Sequence, residues 1–201
     1  MTDSYLTLHQ PAEAIYKVQG SKFIGQAFQV HSPEEATDRV SAVKQEYYDA
    51  THNCSAYQVG LGDEALFHYD DDGEPSGTAG QPIYQVIQGK ELTNLVLVVT
   101  RYFGGTKLGT GGLIRAYGET ARRTIESGRI IRQHLTTIFT IHTTYDDISE
   151  VMRSVDAVGA IIIDQEYGEE IDLKVSVRQA RAEKFRQTVK NLTGGRVNPG
   201  V

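Results

Sequence analysis

Apolar positions along the chain change period several times, and each change marks an element. Residues 13–18 and 22–30 predict a strand pair around the Gln19-Gly20-Ser21 turn, with Ile15, Tyr16, Val18, Phe23, Ile24, Phe28 and Val30 as their apolar complement. Ser32-Pro33-Glu34-Glu35 then combines a capping box with proline at the first helical position, and Ala36, Val40, Val43 and Tyr47 make one stripe at helical spacing. Residues 55–61 and 65–69 predict a hairpin around Gly62-Asp63, and residues 77–88 a helix with Ile83, Val86 and Ile87 inward. Asn94 to Thr100 is a continuous aliphatic run of the kind buried on both faces of a sheet. Leu113, Ala116, Tyr117, Thr120, Ala121, Thr124 and Ile125 return to helical spacing, and Gly128 stops them. These elements predict a layer with sheet on one side and helices on the other.

Beyond Ser127-Gly128-Arg129 the pattern starts afresh. Residues 135–143 predict a strand, 146–158 a helix, 160–165 with 170–177 a hairpin turned at Tyr167-Gly168, and 180–192 a last helix with Ala182, Phe185 and Val189 inward. That is most of a split-βαβ domain, with Arg196 to Val201 as the last edge strand. The expectation is therefore an α+β chain of two domains, residues 1–128 and 129–201, divided near Gly128.

Charge narrows the function. The formal net charge is −6 over 201 residues, with 10 Lys and Arg against 16 Asp and Glu in residues 1–128 and 10 against 10 in residues 129–201. This argues against general attraction to nucleic acid and requires any polyanion site to be local. Cys54 is the only cysteine, which excludes an intramolecular disulfide framework and suits a reducing compartment. The opening residues lack a signal-peptide pattern, and no apolar run is long enough for a membrane span, so a soluble, cytoplasmic protein is expected.

The chemistry-bearing stretch lies between the aliphatic run and the following helix. Gly104, Gly105, Gly109, Gly111 and Gly112 remove side chains that keep a ligand from the backbone, and at least one of Gly104, Gly105 and Gly111 is expected at φ > 0. Amides at a helix start favour negative charge, and Arg101, Lys107 and Arg115 lie in or beside the loop. The stretch departs from Walker A, since Thr110 and Gly111 follow Gly109, and from the dinucleotide fingerprint, since Ile114 stands where a third glycine belongs. It reads as an anion site or as a turn that lets helix and sheet pack closely. Tyr102, Phe103 and Tyr117 are candidates for stacking on a base or for core packing.

Four carboxylates, Asp70, Asp71, Asp72 and Glu74, invite a cation, yet an EF-hand frame would put His68 and Ala79 at its liganding ends. The alternative is an acidic turn facing Arg101 or Lys107, which would make the loop a structural latch. Ser76-Gly77-Thr78 then stands at the next helix start, where a hydroxyl can cap. Ser76 lacks the flanking glycines of a hydrolase elbow. His52 and Cys54 share a face if extended, as a nucleophilic pair or as core residues. Arg178, leading into the last helix, and Arg181, Lys184, Arg186 and Lys190 within it form a basic stretch, either a solvated face or an accessory contact to RNA or acidic protein.

Taken together, DDGEPSGTAGQPI followed by LVLVVTRYFGGTKLGTGGLIRAY resembles the IMPACT/YigZ family, and residues 21–25 and 50–57 resemble its earlier motifs. The motif-bearing resemblance spans roughly residues 15–128. It implies an N-terminal domain similar to the second domain of a small-subunit ribosomal protein and a C-terminal ferredoxin-like domain similar to one in elongation factor G. Eukaryotic relatives are associated with regulating translation initiation under amino-acid starvation, through protein partners. The resemblance brings no catalytic residues, cofactor or metal. The expected function is a translation-associated regulatory module binding RNA, the ribosome or a translation-factor partner. An enzyme acting on a small phosphorylated substrate and a purely protein-binding regulator remain the alternatives.

Overall fold

The computed structural model describes residues 3–201; Met1 and Thr2, which open the first expected domain, lie outside the described residues. The chain divides into two compact units, Tyr5–Gln133 and residues 134–201 with Asp3 and Ser4. Both mix helices and sheets in an α+β arrangement.

The larger unit is built on a five-stranded antiparallel sheet. Its strands are β2 (Ala12–Val18), β3 (Ser21–Gln29), β4 (His52–Val59), β5 (Leu66–Asp70) and β6 (Leu95–Tyr102), in the order β2-β3-β6-β4-β5. Central β6 is buried along nearly its whole length, as its aliphatic run predicts. Leu95, Leu97 and Val99 face one core with helices α2 (Gly80–Gly89) and α3 (Gly109–Ser127). Val96 and Val98 face a second core with α1 (Pro33–Glu46), which starts at the expected Ser32 cap. Helices therefore cover both faces, correcting the expected one-sided layer, because α1 carries the Ala36, Val40, Val43 and Tyr47 stripe that Val96 and Val98 need as cover. Gly25 is required where β3 passes under α3: an added Cβ would lie 2.0 Å from Thr124 Oγ1.

Two strands escaped the sequence reading. β1 (Ser4–Leu8) and β7 (Ile130–His134) pair as a two-stranded sheet, and β7 lies beyond the expected Gly128 boundary. Leu6 bridges Leu92, and the Thr93 amide donates to Leu6 O at 3.0 Å.

The smaller unit orders β8 (Thr136–Thr143), β10 (Ile171–Arg178) and β9 (Ile161–Tyr167) as β8-β10-β9, with α4 (Ile148–Val158) and α5 (Ala182–Leu192) contributing to one core. Strict alternation in β10 buries Ile171, Leu173, Val175 and Val177. The expected closing strand contracts to one antiparallel bridge, Thr140 to Gly200, because Arg196 is drawn off to Asp147 at 2.6 Å instead of extending along the sheet.

Candidate functional site

The glycine-rich stretch leaves β6 between β3 and β4, where Arg101 registers opposite Phe23 on one side and His52 on the other. Period-two alternation puts Arg101 on the same face as Leu97 and Val99, and it is only 5% exposed. Its Nη1 donates to Glu74 Oε1 at 2.5 Å, and the guanidinium lies 5.5 Å from the Phe23 ring and 5.4 Å from that of Phe103. Glu74, itself buried, also accepts from the Tyr117 hydroxyl at 2.8 Å. The expectation that Arg101 neutralises a loop-bound anion is thus corrected: its charge is already matched beneath the loop. A buried cation without Glu74 would carry a desolvation penalty of several kcal/mol, roughly.

His52 and Cys54 share this face, as alternation predicts, and both serve the acidic turn. The His52 Nδ1 lies 2.8 Å from Asp72 O, and Cys54 Sγ donates to Asp71 O at 3.1 Å. Burial pushes the Cys54 thiol well above its ordinary range, and burial with the neighbouring Cys54 and Glu74 does the same to the Tyr117 phenol. Neither is poised as a nucleophile at neutral pH. Tyr117 is fully buried and edge-on to Phe23 at 5.2 Å, so it is a core residue and not a base-stacking one.

The acidic residues are distributed over three separate tasks. Asp71 accepts from the amides of Gly77 at 2.7 Å, Ala79 at 2.9 Å and Gly80 at 2.8 Å, which caps the start of α2. This corrects the expected hydroxyl cap: Ser76 is exposed and Thr78 Oγ1 donates back to Pro75 O, because a carboxylate is the stronger acceptor for several amides at once. Asp72 takes the Asn53 amide at 2.7 Å and Lys44 Nζ at 2.6 Å, while Asp70 lies 3.6 Å from the same ammonium. Lys107 plays no part in this turn; the latch closes on Arg101 and Lys44.

The glycines of the loop fall into different classes. Gly104 is pressed onto the β2–β3 turn, where an added Cβ would lie 1.8 Å from Gly20 C, and its amide donates to Ser21 Oγ at 3.2 Å. The Phe103 amide is likewise held, by Thr51 Oγ1 at 3.0 Å. Gly105 and Gly109 adopt φ of 87° and 68° in open space, as a loop reversing into a helix requires. Gly111 is exposed beneath the Arg115 guanidinium, whose Nη1 would stand 3.5 Å from a Cβ there, and Gly112 packs on Leu108.

The α3 start itself is open. It has no side-chain cap and no acidic residue in its first turn, and both Lys107 and Arg115 are exposed, without an ion pair among the described residues. Arg115 and Gly112 also line a surface cleft of about 570 Å³ with Leu108, Ile114 and Arg122. In the smaller unit, Arg181 donates to Val158 O at 2.6 Å and caps the end of α4, and Arg186 lies over Phe139 at 5.5 Å, so Lys184 remains an exposed cation of that stripe. No helix among the described residues is long and apolar enough to cross a membrane.

The Impact N-terminal domain matches residues 19–125, which encloses every group around Arg101 and the α3 start, and a domain of unknown function, DUF1949, matches residues 141–196. The IMPACT family member YvyE of Bacillus subtilis is 33% identical over 98% of this chain and 90% of its own length. The IMPACT family member YigZ of Escherichia coli is 29% identical over 96% and 95%. A crystal structure of a hypothetical protein superposes with a TM-score of 0.75 at 28% identity, covering 99% of this chain and 97% of that one. Matched along both units by relatives of its own length, the chain belongs to the IMPACT family.

Proposed function

We propose that the protein is a non-enzymatic regulatory module of translation that meets an RNA phosphate backbone through the α3 start. Membership of the IMPACT family supports the translation link that the motif resemblance implies. One observation carries the contact: of the two helix starts beside the buried latch, that of α2 is filled by Asp71, whereas that of α3 offers amides, Lys107 and Arg115 with no internal anion. A helix start alone contributes about 0.3–1 kcal/mol, so the two cations must provide most of the attraction. The carboxylates that an enzyme reading would use as acid or base are committed elsewhere: Asp70 and Asp72 face Lys44, Asp71 caps α2 and Glu74 holds Arg101.

The test is titration of a short single-stranded RNA against wild type and a Lys107→Ala, Arg115→Ala variant at several salt concentrations. Both positions are exposed, so the variant should melt like wild type. The reading expects weaker binding and a salt slope shallower by about 1.4, two phosphate contacts at about 0.7 each. Equal affinity and slope for the two proteins would remove the α3 start as the contact. Stabilisation by one nucleotide or sugar phosphate far above all others would favour a small-molecule enzyme instead.

A further inference from the structure

A second surface of the larger unit has a different chemistry. β5 ends the sheet and, among the described residues, pairs only with β4, in unbroken register from Val59–Leu66 to Ser55–Asp70. Exposed edges are normally blunted by lysine, proline, a bulge or a covering element. Leu66-Phe67-His68-Tyr69-Asp70 has neither lysine nor proline, and Leu66, Phe67 and Tyr69 are 57%, 56% and 39% exposed. The aromatic rings are ordered: Phe67 stacks on Tyr84 of α2 at 4.8 Å, Tyr69 flanks the same ring at 6.0 Å, and the Tyr84 hydroxyl donates to Gln58 at 3.3 Å. An apolar ledge therefore runs along one face of an open edge.

Charge identifies what fits it. Between Lys44 and Lys90 the chain carries Glu46, Asp49, Asp63, Glu64, Asp70, Asp71, Asp72 and Glu74, and no lysine or arginine at all. Asp71 and Glu74 are consumed internally, and Lys44 covers Asp70 and Asp72. Asp63 and Glu64, on the single turn Gly62–Glu64 that leads into β5, are exposed and have no ion pair among the described residues.

We propose that β5 is a docking edge for an extended basic segment of a partner protein. The segment adds as a further strand, lays alternate apolar side chains on the Phe67, Tyr69 and Tyr84 ledge, and directs lysine or arginine to Asp63 and Glu64. The same carboxylates disfavour the other occupants. Antiparallel pairing with β5 of a second copy would set Asp63 and Glu64 against the Asp70–Asp72 end of the other edge, where one lysine, Lys44, offsets two carboxylates, and nucleic acid would meet uncompensated negative charge. This surface is separate from the α3 start, and the inference does not depend on RNA binding there.

The test is selection from a display library of extended segments of about eight residues against the whole protein. Enrichment of alternating apolar and Lys or Arg residues is expected, and the selected peptide should slow amide exchange across Leu66–Asp70. Affinity should fall at least about tenfold in an Asp63→Lys, Glu64→Lys variant that melts like wild type. It should fall similarly for a peptide N-methylated at alternate residues, which keeps the side chains but loses strand pairing. The proposal is overturned if selection shows no basic preference, if either change leaves affinity intact, or if protection maps away from β5. Concentration-dependent protection of β5 without peptide would assign the edge to a second copy, and the same protection by an oligonucleotide would assign it to nucleic acid; either result also overturns it.

Discussion

Glu74→Gln tests whether the centre of the larger unit is a latch. The substitution keeps the shape of the side chain but leaves Arg101, 5% exposed, without its counter-charge. Breaking one side of a buried pair costs about 3–5 kcal/mol. The Arg101 Nε already lacks a hydrogen-bond partner, so the guanidinium has little else to turn to. Arg101 Nη1 and the Tyr117 hydroxyl donate to the same oxygen, Glu74 Oε1, so a glutamine carbonyl in that place keeps both hydrogen bonds and what is removed is the charge. A loss in this range corresponds to roughly 10–20 °C in the melting temperature of the larger unit. Urea unfolding followed by circular dichroism at neutral pH measures it directly. Arg101→Met should cost a similar amount, because it strands Glu74. The triple variant Glu74→Leu, Arg101→Met, Tyr117→Phe replaces all three polar partners by apolar groups and should recover much of the loss. Additive single losses, or a Glu74→Gln loss under about 1 kcal/mol, would show that the pair is not coupled and that the latch is misassigned.

Asp71→Ala should destabilise by about 2 kcal/mol in the same assay, since three amides of the α2 start lose their acceptor, while Asp71→Asn should retain part of the cap. Gly104→Ala should be far more damaging than Gly105→Ala: the first drives a Cβ into Gly20, and the second meets only the left-handed backbone penalty of about 1–2 kcal/mol. Comparable melting temperatures for the two alanine variants would contradict this. Hydrogen bonds from Arg122 and Arg123 hold the Glu119 carboxyl down at about 2, below its unfolded value near 4.3. Its contribution is therefore present above the unfolded value and is lost as pH falls through about 4 towards 2. The stability difference between wild type and Glu119→Gln should shrink over that window; a constant difference from neutral pH to acid would refute the assignment.

The α+β class and most elements were legible because each carries its own periodicity. The LVLVV run marked central β6, and the Ser32 box marked the start of α1 to the residue. β1 and β7 were not legible, for they are five residues each and their pairing partners lie more than a hundred positions apart. The misreading of Arg101 has a different cause. Its alternation with Leu97 and Val99 already placed it on a buried face, but its nearness to the glycines gave it the appearance of a ligand-binding cation. What no spacing rule supplies is its partner, Glu74, which arrives from a turn upstream of α2.

Once that pair is assigned, the glycine-rich stretch separates into a base and a tip. The base, Arg101 to Gly104, is fixed by Glu74, Thr51, Ser21 and the Gly20 backbone, with the Arg101 charge matched and the Phe103 and Gly104 amides already bonded, while the Phe103 ring stays exposed. The tip, Gly105 to Arg115, has exposed cations, two glycines in the left-handed region and an uncapped helix start. A rigid base beneath an exposed tip lowers the ordering cost of binding, because less of the loop must be immobilised when a partner arrives. Anion binding and structural support are therefore not competing accounts of this motif. The buried ion pair holds the place from which Lys107 and Arg115 reach outward, and a variant in the base should act on binding through stability, whereas one in the tip should act on it directly.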